Sequence, residues 1–76
     1  MRKFYFDLTG DFAASDFVGH ECATEEEAKE HGSFIAHRIG TEKPEMVRPG
    51  NYISVRDEGG FEIYQAPITS TFAPAH

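Results

Sequence analysis

The stretch TEEEAKEHGSFIAHRIG, residues 24–40, decides how the rest of the chain is read. Thr24 followed by Glu27 is a capping box: the threonine hydroxyl accepts from the Glu27 amide, and the Glu27 carboxylate reaches back. Glu25, Glu26 and Glu27 also set negative charge against the positive end of the helix dipole. Beyond the cap, Ala28, Gly32, Ile35 and Ile39 fall within about 60° of arc, with His31 and Ala36 flanking them on opposite sides. A stripe that narrow and that poor in bulk predicts a helix seated close on a sheet. Gly40 is expected to end it as a left-handed cap.

Before the helix, residues 3–9 alternate, with Phe4, Phe6 and Leu8 on one side and Tyr5 and Asp7 on the other. Period two predicts a half-buried strand. Gly10 and Asp11 punctuate it, and a polar loop over residues 11–15 carries Phe12 as a candidate plug. Residues 17–22 are expected to return as a second strand, with Val18, His20 and Cys22 on one face and Phe17, Gly19 and Glu21 on the other. After the helix, residues 41–50 hold Pro44 and Pro49 and read as a connecting loop with no element of its own. Residues 51–56 alternate again, Asp57-Glu58-Gly59-Gly60 is a turn, and residues 61–66 return with Phe61 and Ile63 in phase. Pro67 ends that strand. Residues 1–68 therefore read as a single domain. Residues 69–76 form a fraying tail in which Phe72 is a candidate to dock.

The expected fold is α+β, in the order β-β-α-β-β, with one helix packed on a small, mainly antiparallel sheet. On this reading the uncovered sheet face shows Tyr5, Tyr52, Tyr64 and Phe17. Several aromatic side chains on one open face point to self-association or a partner.

Seventy-six residues allow one small core, and seven Phe with three Tyr supply much of its apolar area. The single Cys22 rules out an intramolecular disulfide, which suits a reducing cytoplasm. The first residues show neither a signal peptide nor a membrane anchor. Thirteen acids against seven bases give a formal charge of −6. That charge repels phosphate backbones and argues against direct nucleic-acid binding.

The opening Phe4-Tyr5-Phe6, Asp16-x-x-Gly19-x-Glu21 before a capped helix, Val55-x-Asp57-Glu58-x-Gly60 and Ala66-Pro67-Ile68 occur here in that order. Together they resemble a family of short, uncharacterised alphaproteobacterial proteins, a domain of unknown function of rhizobial type. The resemblance spans roughly residues 3–68. It implies the fold and a bacterial origin, and it brings no activity, cofactor or catalytic residue.

Three constellations bear on chemistry. His20, Cys22 and His31, with Glu27 or Asp16 as a fourth donor, are the candidate zinc ligands, although the H-x-C spacing followed by a distant His matches no strong zinc motif. His31 and His37 could serve as general bases, but no serine or cysteine nucleophile accompanies them, and no catalytic residue or cofactor is expected. Gly59-Gly60 follows acids and precedes a strand, which excludes a phosphate-cradling loop. The leading expectation is a protein-interaction module, a homodimer or an accessory subunit, using Tyr5, Phe17, Tyr52, Arg56 and Tyr64. A zinc-binding regulatory or storage protein is one alternative. An acidic partner that masks a basic nucleic-acid-binding protein is the other. No membrane partner is expected.

Overall fold

The computed structural model describes residues 2–70. It contains strand β1 (Arg2–Thr9), strand β2 (His20–Cys22), helix α1 (Glu25–Glu42), a 3-10 turn (Pro44–Met46), strand β3 (Tyr52–Arg56) and strand β4 (Glu62–Pro67). The four strands lie in the order β2-β1-β3-β4, and every pairing is antiparallel. The helix packs on one face of that sheet, so the fold is α+β with the expected β-β-α-β-β order.

Alternation in β1 sends Phe4 and Phe6 into the core, where Phe4 is completely buried. Ile53 and Val55 do the same from β3 and Ala66 from β4, while Cys22, Met46 and Ile68 close the margins. Each fully buried large aliphatic side chain stabilises the fold by about 1.5–3 kcal/mol relative to exposure.

The Thr24 half of the capping box forms as its spacing predicts, while the Glu27 carboxylate reaches one residue past the cap to Ala23. The Glu27 amide donates to Thr24 Oγ1 at 3.1 Å, and the Ala23 amide donates to Glu27 Oε1 at 2.9 Å. The far end of the helix differs from expectation. It continues through Gly40 to Glu42, and the Lys43 amide closes it on the Ile39 carbonyl at 2.7 Å. Gly40 is not a left-handed cap. A Cβ there would stand 2.3 Å from the Thr69 carbonyl oxygen, so this glycine serves close packing inside the helix. The buried positions are Ala28, Gly32, Ala36 and Gly40, a strict i, i+4 row. Relative to the expected stripe the buried face is rotated by about 50°, and Ile35 and Ile39 flank it half-buried.

Three further expectations are corrected. The second strand starts at His20 instead of Phe17, because the Asp16 carboxylate takes the Val18 and Gly19 amides at 3.0 Å each and Gly19 adopts φ +79°. Phe12 is no plug: it is 62% exposed. The connection after the helix has its own element, the 3-10 turn, which buries Met46 and is tied down by Asn51 Nδ2 donating to the Met46 carbonyl at 3.0 Å. Phe72 lies outside the described residues.

Candidate contact surface on the open sheet face

The helix covers one face of the sheet, and the register states which side chains line the other. Cα partners across an antiparallel pair share a face. Lys3 lies opposite Glu21, Tyr5 opposite Arg56, Asp7 opposite Ser54, and Thr9 opposite Tyr52. Across the next pair, Ser54 meets Gln65, Arg56 meets Glu62, and Tyr52 meets Pro67. Tyr5, Tyr52 and Arg56 therefore share the open face, as expected from their alternation.

Tyr64 does not join them. A bulge at Val55/Arg56 shifts the register, so Tyr64 lies opposite the core residue Val55 on the helix-facing side, near the sheet edge. One extra residue reverses the face of everything beyond it. Phe61 pairs with Asp57 at the mouth of the turn, beyond the reach of the helix, and is 72% exposed.

On the open face the polar groups are tied to one another. Arg56 Nη2 meets Asp7 Oδ2 at 2.7 Å, with both side chains largely covered. Arg56 Nε is buried and has no hydrogen-bond partner among the described residues. Ser54 Oγ donates to Glu62 Oε2, and Gln65 Nε2 donates to Glu62 Oε1 at 2.8 Å. These two donors, the Ser54 hydroxyl foremost, hold the Glu62 carboxyl below the usual carboxylate range.

Asp16 organises the loop that crosses this end of the sheet. Its amide donates to Asp7 Oδ1 at 2.9 Å. Its Oδ2 accepts from the Phe6 amide at 3.2 Å, and its Oδ1 accepts from the Val18 and Gly19 amides. Phe6 needs that acceptor because β2 pairs with β1 only as far as Phe4. Partial burial pushes the Asp16 carboxyl upward, but the Gly19, Phe6 and Val18 amides together with the Arg56 charge outweigh it. The net effect holds Asp16 below its ordinary value.

The opposite wall is the β3–β4 turn. Asp57 Oδ1 accepts from the Gly59 amide at 2.9 Å and the Phe61 amide at 3.0 Å, and the Gly60 amide donates to the Asp57 carbonyl at 3.0 Å. Between the two pinned walls runs a groove of about 370 Å³, lined by Tyr5, Asp16, Phe17, Arg56, Glu58 and the two turn glycines. Phe17 stands over it, 88% exposed, on backbone that its neighbours hold in place. A second hollow of about 260 Å³ lies farther along the open face beside Tyr52, Gln65 and Pro67. Three of the five expected contact residues, Tyr5, Phe17 and Arg56, thus meet at one groove. Tyr52 lines the second hollow.

The candidate zinc ligands are arranged differently. The His20 and His31 rings stack at 4.2 Å, only 8° from parallel, and Phe6 packs edge-on against His31 at 4.9 Å. Stacked imidazoles present their faces to each other, whereas metal ligation needs lone pairs in the ring planes to converge. Cys22 is buried, and burial with the Glu27 charge pushes its thiol up, away from the thiolate a metal requires. Burial and the nearby His20 press His31 below its ordinary value, against an opposing pull from Glu27. Asp16 sits on the loop at the open face with its carboxylate engaged by amides. Among the described residues no group of three or more His, Cys, Asp or Glu side chains is placed to hold a metal ion.

Glu58 lines this groove, and Asp7 and Asp57 hold its walls; none of the three is a site residue on the sequence reading. The signal was present in part: Asp16-x-x-Gly19 and Asp57-x-Gly59 are both patterns in which a carboxylate caps its own turn.

Among the described residues, the fold and this surface define a small one-helix α+β domain with a grooved, uncovered sheet face. Residues 3–69 match the family model described as "Domain of unknown function (DUF6894)", and the chain belongs to that family. No curated protein and no solved structure matches the chain. Among the described residues no helix is long and apolar enough to cross a membrane.

Proposed function

We propose that this protein is a non-enzymatic protein-interaction module, working as a homodimer or as an accessory subunit, with its contact surface centred on Phe17 at the open sheet face. The alphaproteobacterial origin and cytoplasmic setting suggested by the sequence belong to the same reading. One observation carries it: Phe17 is 88% exposed although the loop beneath it is pinned by four Asp16 hydrogen bonds. A large apolar ring held out in water on a pinned backbone contributes little to the isolated fold. The pinned backbone beneath it has little conformational freedom left to lose when a partner covers the ring. Tyr5 and Arg56 beside it are residue types enriched at the energetic centres of interfaces.

Face-to-face contact is favoured over strand addition. One sheet edge, β2, is three residues long. The other, β4, carries a bulge and ends in Pro67, devices that blunt an edge against pairing.

Sedimentation equilibrium tests the reading. In the homodimer form, Phe17→Ser and Tyr5→Ser each weaken association by about tenfold or more, whereas Tyr64→Ser, on the helix-facing side, leaves it within about twofold. A dimer indifferent to Phe17→Ser and Tyr5→Ser would remove this surface. A wild-type monomer would remove the homodimer form and leave the accessory-subunit form, which the ligand titration below addresses.

A further inference from the structure

The charges around the Phe17 groove select one kind of occupant. Arg56 is neutralised by Asp7 at 2.7 Å. The Asp16 carboxylate is engaged by three backbone amides. Glu58 is left as an exposed carboxylate with no partner among the described residues. The exposed ring of Phe17 and the half-buried ring of Tyr5 line the same groove. An aromatic ring and an unpaired carboxylate facing one groove, on walls fixed by Asp16 and Asp57, supply the recognition chemistry of an organic cation.

A guanidinium fits that pair better than an ammonium. It is planar, stacks on a ring, and can bond a carboxylate through two nitrogens. About 370 Å³ accommodates one long side chain. The formal charge of −6 draws a basic surface toward the chain at long range and opposes a second acidic copy.

We infer that the groove seats an arginine side chain from a basic segment of a partner protein, with the guanidinium over Phe17 and bonded to Glu58. This inference rests on the interaction-module reading and takes its accessory-subunit form.

The test is a titration of the full chain, isotope-labelled at its amides, with N-acetylarginine methylamide at low salt. Its neutral citrulline counterpart is the control. The arginine compound is expected to give saturable shifts at Phe17, Gly59 and Gly60, with binding about tenfold weaker for citrulline. Phe17→Ala and Glu58→Gln each weaken it by about three- to tenfold. Both side chains are exposed and lie outside every strand and helix, so the variants fold and report recognition. Equal binding of citrulline, unchanged binding in both variants, or shifts centred on the acidic helix start at Glu25 and Glu26 would overturn the inference. The two readings fail differently. If arginine does not bind but a wild-type dimer dissociates on Phe17→Ser, the groove is a copy-to-copy interface and only the arginine inference falls. If there is neither binding nor a dimer, both fall.

Discussion

At the residue scale, two aspartates shape the groove by holding backbone. Asp57 closes its turn through the Gly59 and Phe61 amides, and Asp16 joins its loop to β1 through the Phe6 amide. Because its neighbours hold the Asp16 carboxyl below 3.8, that carboxylate contributes stability above the ordinary carboxylate range. The contribution disappears as pH falls through the depressed folded value. Asp16→Asn is expected to cost about 1–2 kcal/mol near neutral pH and to flatten the loss of stability below 3.8. Urea unfolding of wild type and variant at several pH values reads both effects. Parallel acid limbs would show that Asp16 carries no such role. The Asp16-x-x-Gly19 pattern carries a turn signal, since a short carboxylate commonly caps the amides two and three residues on, but the alternation over residues 17–22 masked it as strand. The bond to Phe6 was not legible, because it depends on where the loop crosses β1.

At the element scale, contact distance governs the helix. Gly32 faces Val55, and a Cβ at Gly32 would approach Val55 Cγ2 to 2.6 Å. Val55 is completely buried and has nowhere to turn. Gly32→Ala gains about 1 kcal/mol of helix propensity, but overpacking against the sheet costs about 1–3 kcal/mol. A net loss of up to about 2 kcal/mol is expected, measured as a lower urea midpoint with unchanged slope. A stabilised variant would mean that the helix is free to lift.

The capping box and the alternation of β1 and β3 were written plainly in the sequence because each is set by local spacing. The true buried row, Ala28-Gly32-Ala36-Gly40, was obscured. Periodicity weights the bulky Ile35 and Ile39, whereas close approach to the sheet selects small residues. The face of Tyr64 was hidden for another reason. A single-residue bulge has no signature in an alternating pattern, and it reverses the side of all that follows.

At the scale of the whole molecule, one face of the sheet is sealed by a helix, both edges are short or blunted, and the other face bears the groove. The formal charge of the chain is −6, and among the described residues the groove combines ring faces with one free carboxylate. Composition anticipated the acidity and the excess of aromatics. It could not place the groove, which exists only because two loops distant in sequence converge over Tyr5 and Arg56. The His20–His31 stack shows the same limit. Residue type suggested a ligand set, without a zinc-motif spacing, and the fold built ring packing against Phe6.

The central claim is that partner contact occurs at the open sheet face around Phe17. An amide chemical-shift map of the whole chain tests it most directly, recorded over a dilution series and again with N-acetylarginine methylamide. Shifts clustered at Tyr5, Phe17, Gly59 and Gly60 in either series are the predicted result. Shifts confined to the exposed side of the helix, around Glu30 and Arg38, or no shifts in both series, would contradict it.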